Sequence, residues 1–164
     1  MPRKIIVVVI LVLVILSWVG FQYKQKNLCR GKYATLECLK KNLDRVYLDD
    51  VKHGTENFAI LGIAEKEALE CRSIRKTADY LELAKSPTSI VEFREGFDEA
   101  IEDLFLENSR CFLEAYLLLD PPSREALTQY IVTRNIVDIV RQEASKYADD
   151  PRFKDFVQAI LNTN

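Results

Sequence analysis

The chain has 164 residues, 23 basic and 25 acidic, for a net charge of −2. The charges are unevenly placed: residues 1–34 hold six bases and no acid, leaving 17 bases against 25 acids, a balance of −8, in the rest. That acidic body argues against a nucleic-acid binder, whose affinity comes largely from basic contacts to phosphate, and leaves basic partners open.

The first element follows Met1-Pro2-Arg3-Lys4. Residues 5–21 carry no charge, and only Ser17 and Gly20 interrupt an apolar run of seventeen residues. That is the short end of the ~17–25 residues that cross a hydrocarbon core of ~30 Å. In lipid an isolated run of this kind satisfies its backbone only as a helix. Trp18, Phe21 and Tyr23 gather at its far end, where amphipathic rings favour the interface, and Lys24 and Lys26 are placed to snorkel to headgroups. A cleaved signal peptide is the rival reading. No small-x-small site follows the run, and Lys26-Asn27-Leu28 before Cys29 does not form a lipoprotein box. The expected organisation is a signal-anchor over residues 1–26, a juxtamembrane linker over 27–34 and one soluble helical domain over 35–164.

Orientation is contested within the sequence. Lys24, Lys26, Arg30 and Lys32 after the span outnumber Arg3 and Lys4 before it, which by count favours a cytoplasmic domain. The short basic start and the cysteines favour export. We expect a single-pass protein whose domain is extracytoplasmic, periplasmic in a bacterium.

The remainder reads as helix, giving an all-α fold: a transmembrane helix followed by an antiparallel bundle of about five helices. Helix one covers about 35–52, with Leu36, Leu39, Leu43, Val46 and Tyr47 on one stripe. His53-Gly54 ends it, glycine suiting a left-handed C′ position. Helix two runs from Thr55 as N-cap to about 85, burying Phe58, Leu61, Ala64, Ala68, Cys71, Ile74, Ala78 and Leu81. Ser86-Pro87 stops it. Ser89 to Glu92 matches a capping box and opens helix three, which continues to about 119 through Val91, Phe97, Ile101, Leu104, Phe105, Cys111, Phe112 and Tyr116. Asp120-Pro121-Pro122-Ser123 reads as a breaker and a candidate recognition loop. Helix four follows over about 124–147, carrying Leu127, Tyr130, Ile131, Ile136, Val137, Val140, Ala144 and Tyr147. Asp150-Pro151 reads as an N-cap with proline at the first position of helix five, about 151–161, with Phe153, Phe156, Val157, Ile160 and Leu161 buried.

Four cysteines, Cys29, Cys38, Cys71 and Cys111, lie outside the apolar run. An even number in an exported domain suggests two disulfides; no C-x-x-C supports a zinc or redox site. Helices one and two pivoting about 53–54 set Cys71 within ~3 Å of the level of Cys38. Pivoting about 87 leaves Cys111 offset from Cys71 by ~12 Å. Cys38–Cys71 with Cys29–Cys111 is therefore the favoured pairing, and Cys29–Cys71 with Cys38–Cys111 stays open among three connectivities.

Chemistry is sparse. His53 is the only histidine, and a place beside a C-cap accounts for it through the helix dipole. Glu92, Glu95, Glu99, Glu102 and Asp103 approximate one face of helix three. That face is either solvated or partner-binding; di-iron bundles require a Glu-x-x-His that is absent. No phosphate cradle and no nucleophile elbow occurs. The expectation is a membrane-anchored, non-catalytic interaction domain with a protein partner, no nucleic acid, no cofactor and no metal. The alternative is an immunity or inhibitor protein for a basic soluble partner, and a further alternative is an enzyme of unknown class.

Overall fold

The computed structural model describes residues 10–18, 29, 35–53, 57–86, 90–134 and 136–162. Residues 10–18 form a helix, α1, whose side chains are exposed on every side. Ser17 donates its hydroxyl to the Leu13 carbonyl at 2.8 Å, which satisfies the one polar side chain in this stretch. Among the described residues no helix is long and apolar enough to cross a membrane. Nine residues rise about 14 Å, and the rest of the expected span, residues 5–9 and 19–21, lies outside the described residues.

The body is helical throughout its described residues. α2 covers Leu36–His53, α3 Asn57–Leu69 and α4 Ile74–Leu81, which tightens into a 3-10 turn over Glu82–Lys85. α5 covers Val91–Leu118, α6 Pro121–Val132 and α7 Val137–Ala144, followed by a 3-10 turn over Ser145–Tyr147; α8 covers Lys154–Leu161. Two of the five expected helices are thus each divided in two. Helix four breaks after Val132, where Thr133 turns its hydroxyl back onto the carbonyls of Gln129 and Tyr130 at 3.0 and 3.1 Å. Such back-bonding competes with the helical ladder.

The break in helix two is a Schellman turn. The amide of Cys71 donates to Ala68 at 3.0 Å and that of Arg72 to Glu67 at 3.3 Å, the paired bonds of that motif. The left-handed residue it requires is Cys71, with φ 46°. Glycine normally takes this position, but a glycine could not form the bridge that Cys71 makes.

The starts expected for helices four and five both shift. The chain breaks at Leu119 and Asp120 as expected, but the next helix starts earlier than 124: Asp120 is the N-cap of α6, accepting from the Ser123 amide at 2.8 Å, with proline in the first helical turn. Asp150 does accept the Arg152 amide, at 3.0 Å, but residues 151–153 form turns and α8 begins only at Lys154. The expected capping serine of α5, Ser89, lies outside the described residues; the flanking residue is Ile90, with no side-chain cap.

The disulfides are Cys29–Cys38 and Cys71–Cys111, with Cα separations of 5.6 and 6.2 Å, and no described cysteine is free. The favoured pairing is overturned, as is its open rival. The expected register assumed an unbroken helix over 55–85. The turn at 70–73 and the longer rise of the 3-10 turn stretch that limb, and α5 is kinked at Asn108 (φ −151°, ψ 54°) just before Cys111. Cys29 folds onto its own neighbour: it is buried with Leu39 and Val46, against Cys38, Ile60 and Leu61. In the chain-entropy model, loops of 40 and 9 residues are worth roughly 4 and 2.5 kcal/mol.

α5 is the central element, packing on α3, α4 and α7. Phe97, Ile101, Leu104, Phe105, Phe112 and Leu113 on it are almost fully buried. Its rings knit the body together. Phe105 meets Phe112 at 4.5 Å, and Phe156 of α8 meets Phe112 at 5.7 Å and Tyr116 at 4.7 Å. Phe97 touches Tyr80 of α4 at 5.4 Å and Tyr130 of α6 at 5.2 Å. The apolar stretch from Cys111 to Leu119, expected to be central, is buried or half-buried except at Leu118, which is exposed. Val91 and Leu161, also expected in the core, are exposed as well.

Two outcomes follow for stability. Phe156→Ala is expected to cost about 3–5 kcal/mol in urea denaturation, because the cavity it leaves is walled by other rings. Cys71→Gly/Cys111→Ala is expected to be more stable than Cys71→Ala/Cys111→Ala by roughly 1 kcal/mol, since only glycine adopts the left-handed turn without steric cost.

Candidate interaction surface

The five carboxylates share a face because 92, 95, 99, 102 and 103 step by three and four along α5. Phe97, Ala100, Ile101, Leu104 and Phe105 occupy the opposite side and are buried. Glu92, Glu95, Glu99 and Asp103 are exposed and Glu102 is half-buried. The structure therefore brings all five to the solvent side of the central helix.

A sixth carboxylate faces this group from α3. Burial pushes the Glu65 carboxyl above the ordinary range, and the charges of Glu99 and Asp103 push it further. Glu65 is half-buried because Leu61, Ala64 and Ala68, spaced around it, pack into the core. That spacing was legible in the sequence, where Glu65 sits on the apolar stripe of helix two. Such a surface carries unspent repulsion, which a bound cationic group would relieve.

Asp98 belongs to a different cluster. Its carboxylate lies 3.8 Å from the Arg134 guanidinium, which sits over the Tyr130 ring at 5.0 Å. Tyr130 donates to the Arg94 carbonyl at 3.2 Å. Burial, then the neighbouring Asp98, raises the Tyr130 phenol above its ordinary range. These contacts join α5 to α6 and leave the outer face free of Asp98.

The Asp120 corner is structural. Its carboxylate accepts from the amide and the hydroxyl of Ser123 and faces Lys85, and these donors hold it below the usual carboxylate range. A cleft beside it is lined by Glu37, Lys40, Lys41, Glu82, Lys85 and Ser86. Lys40 bridges Glu37 and Glu82 there. Burial opposes its charge, but the two carboxylates outweigh that and hold the ammonium above its ordinary range. Each lysine of the cleft is paired with a carboxylate, Lys40 and Lys41 within it and Lys85 with Asp120 beside it.

His53 is the last residue of α2, at the helix end as expected; its side chain lies outside the described ones. All four cysteines are in bridges. Among the described residues no group of His, Cys, Asp or Glu is arranged to hold a metal ion. No family model matches the chain, and no curated protein or solved structure matches it significantly.

Glu65→Gln tests the electrostatics of the face. A carboxyl whose pKa is raised in the folded state favours folding when protonated, and that contribution is lost as pH rises through the folded value. The variant is therefore expected to gain up to about 1 kcal/mol at neutral pH and nothing measurable near pH ~3.5, as read by urea melts at both.

Proposed function

We propose that the protein is a membrane-anchored, non-catalytic interaction domain, an accessory or assembly subunit whose bundle is extracytoplasmic and binds a basic protein partner. The observation that carries this is the acidic face of α5, opposed by Glu65 from α3. Unpaired like charges this close favour a partner that supplies Lys or Arg.

Three further observations support the reading. The buried polar side chains Thr77, Ser109 and Ser123 are all engaged locally. Thr77 bonds carbonyls of Ala68 and Ser73, Ser109 meets Tyr147 and Glu143, and Ser123 bonds Asp120 and Lys85. Such a core holds structure rather than substrate. Two disulfides suit an oxidising compartment. The exposed apolar helix at 10–18 and the charge-free run around it suit a bilayer.

A soluble basic antagonist is the second reading of the same face. The two differ in whether the partner leaves the membrane fraction.

The test is gentle detergent extraction and cross-linking from native membranes. A stoichiometric partner is expected, lost on Glu95→Lys/Glu99→Lys and weakened by salt. Extraction of monomer alone under several detergents would sink the reading. Alkylation in those membranes before extraction should find no free thiol; four would place the bundle on the cytoplasmic side.

A further inference from the structure

α3 is apolar on more than its packed side. Leu61, Ala64 and Ala68 face the core, and Ile60 and Leu61 pack on the cluster of Cys29, Leu39 and Val46. About half a turn around the helix, Ala59, Gly62, Ile63 and Lys66 face outward, with Ile63 61% exposed. A Cβ added at Gly62 would meet nothing within 4 Å. A surface helix ordinarily presents polar residues here.

The chain's own connectivity says what lies opposite this strip. Cys29 is clamped to α2 beside Ile60 and Leu61. Only ten residues, 19–28, separate it from Trp18. Eleven Cα-to-Cα steps span at most about 40 Å, and a random chain of that length averages about 18 Å. A domain of this size is itself roughly 35 Å across. The average span of a chain of this length is about half the bundle's width, so the bridge keeps the α2–α3 side of the bundle near the end of the apolar run. Without the bridge the path to α2 would lengthen by nine residue steps, the separation of Cys29 and Cys38.

We propose that the outward strip of α3, Ala59, Gly62 and Ile63, with Lys66 reaching to headgroups, seats on the lipid surface that holds residues 5–21. This rests on the anchor reading above. Small residues let the helix lie flat at the headgroup boundary, Ile63 supplies the apolar contact, and the lysine snorkels. The strip points away from α5, so the acidic face stays in solvent while the bundle lies down.

Tryptophan quenching by brominated lipids tests it on the full chain in phosphatidylcholine–phosphatidylglycerol vesicles. Trp18 is the only tryptophan, so the parent protein reports the anchor by itself. In a Trp18→Phe background, Ile63→Trp and Ala59→Trp report the strip. Leu161→Trp, on α8, which packs on α6 and α7, reports a side away from it. Circular dichroism matching the parent identifies the variants that fold.

Quenching at positions 59 and 63 severalfold above that at 161 is the expected result. Adding Cys29→Ser/Cys38→Ser should lower it towards the level at 161. Unquenched strip positions with a quenched Trp18 would overturn the docking and leave the anchor standing. An unquenched Trp18 in the parent would overturn the anchor and the docking with it. A blue-shifted Ile63→Trp emission that bromine does not quench would place protein on the strip, a second copy included, and overturn the lipid assignment.

Discussion

The Cys71–Cys111 bridge is the constraint on which the arrangement of the bundle turns. It joins the end of α3 to the middle of α5, one turn past the kink at Asn108. That single covalent tie holds a left-handed residue in place, ends α3 and redirects the chain into α4. It also brings α3 and α4 onto the same side of the central helix. Thr77 of α4 approaches the Cys111 sulfur at 3.7 Å, so the bridge is packed into the core as well as bonded across it. Everything C-terminal to α5 then wraps the remaining sides of one long apolar surface.

Reading the sequence alone succeeds where one force dominates. The buried stripe of α5 repeats at three and four residues over several turns, and its rings are where that period puts them. Val91 departs from it by about 120° on the helix and is exposed. The period alone excludes it. The acidic face was likewise legible, because hydrophobic burial of one side leaves the other to solvent.

What was not legible depended on local competition. Nothing in Glu70-Cys71-Arg72-Ser73 resembles a turn by composition, since the residue in the left-handed position is a cysteine fixed there by a distant partner. The register argument then failed because it inherited an unbroken helix. Asp120-Pro121 reads as a stop, and it is also a start: α5 ends just before it, and hydrogen bonding to Ser123 makes Asp120 the cap of α6. Asp150-Pro151 carries the same two letters, and there the chain makes further turns before α8. Glu65 escaped notice for the opposite reason: a carboxylate on an apolar stripe is easily passed over, although burial and then the charges of Glu99 and Asp103 both act on it.

The order of the bridges bears on how the protein is made. Cysteines pair here first with second and third with fourth along the chain, so neither bridge encloses or crosses the other. A loop of about ten residues closes within ~10–100 ns. The amino-terminal pair can therefore meet before Cys71 and Cys111 have left the ribosome, and oxidation rather than chain diffusion sets the pace of its bridge. Once that bridge has formed, no earlier thiol remains to compete for Cys71 and Cys111. A connectivity of this kind needs little help from an isomerase.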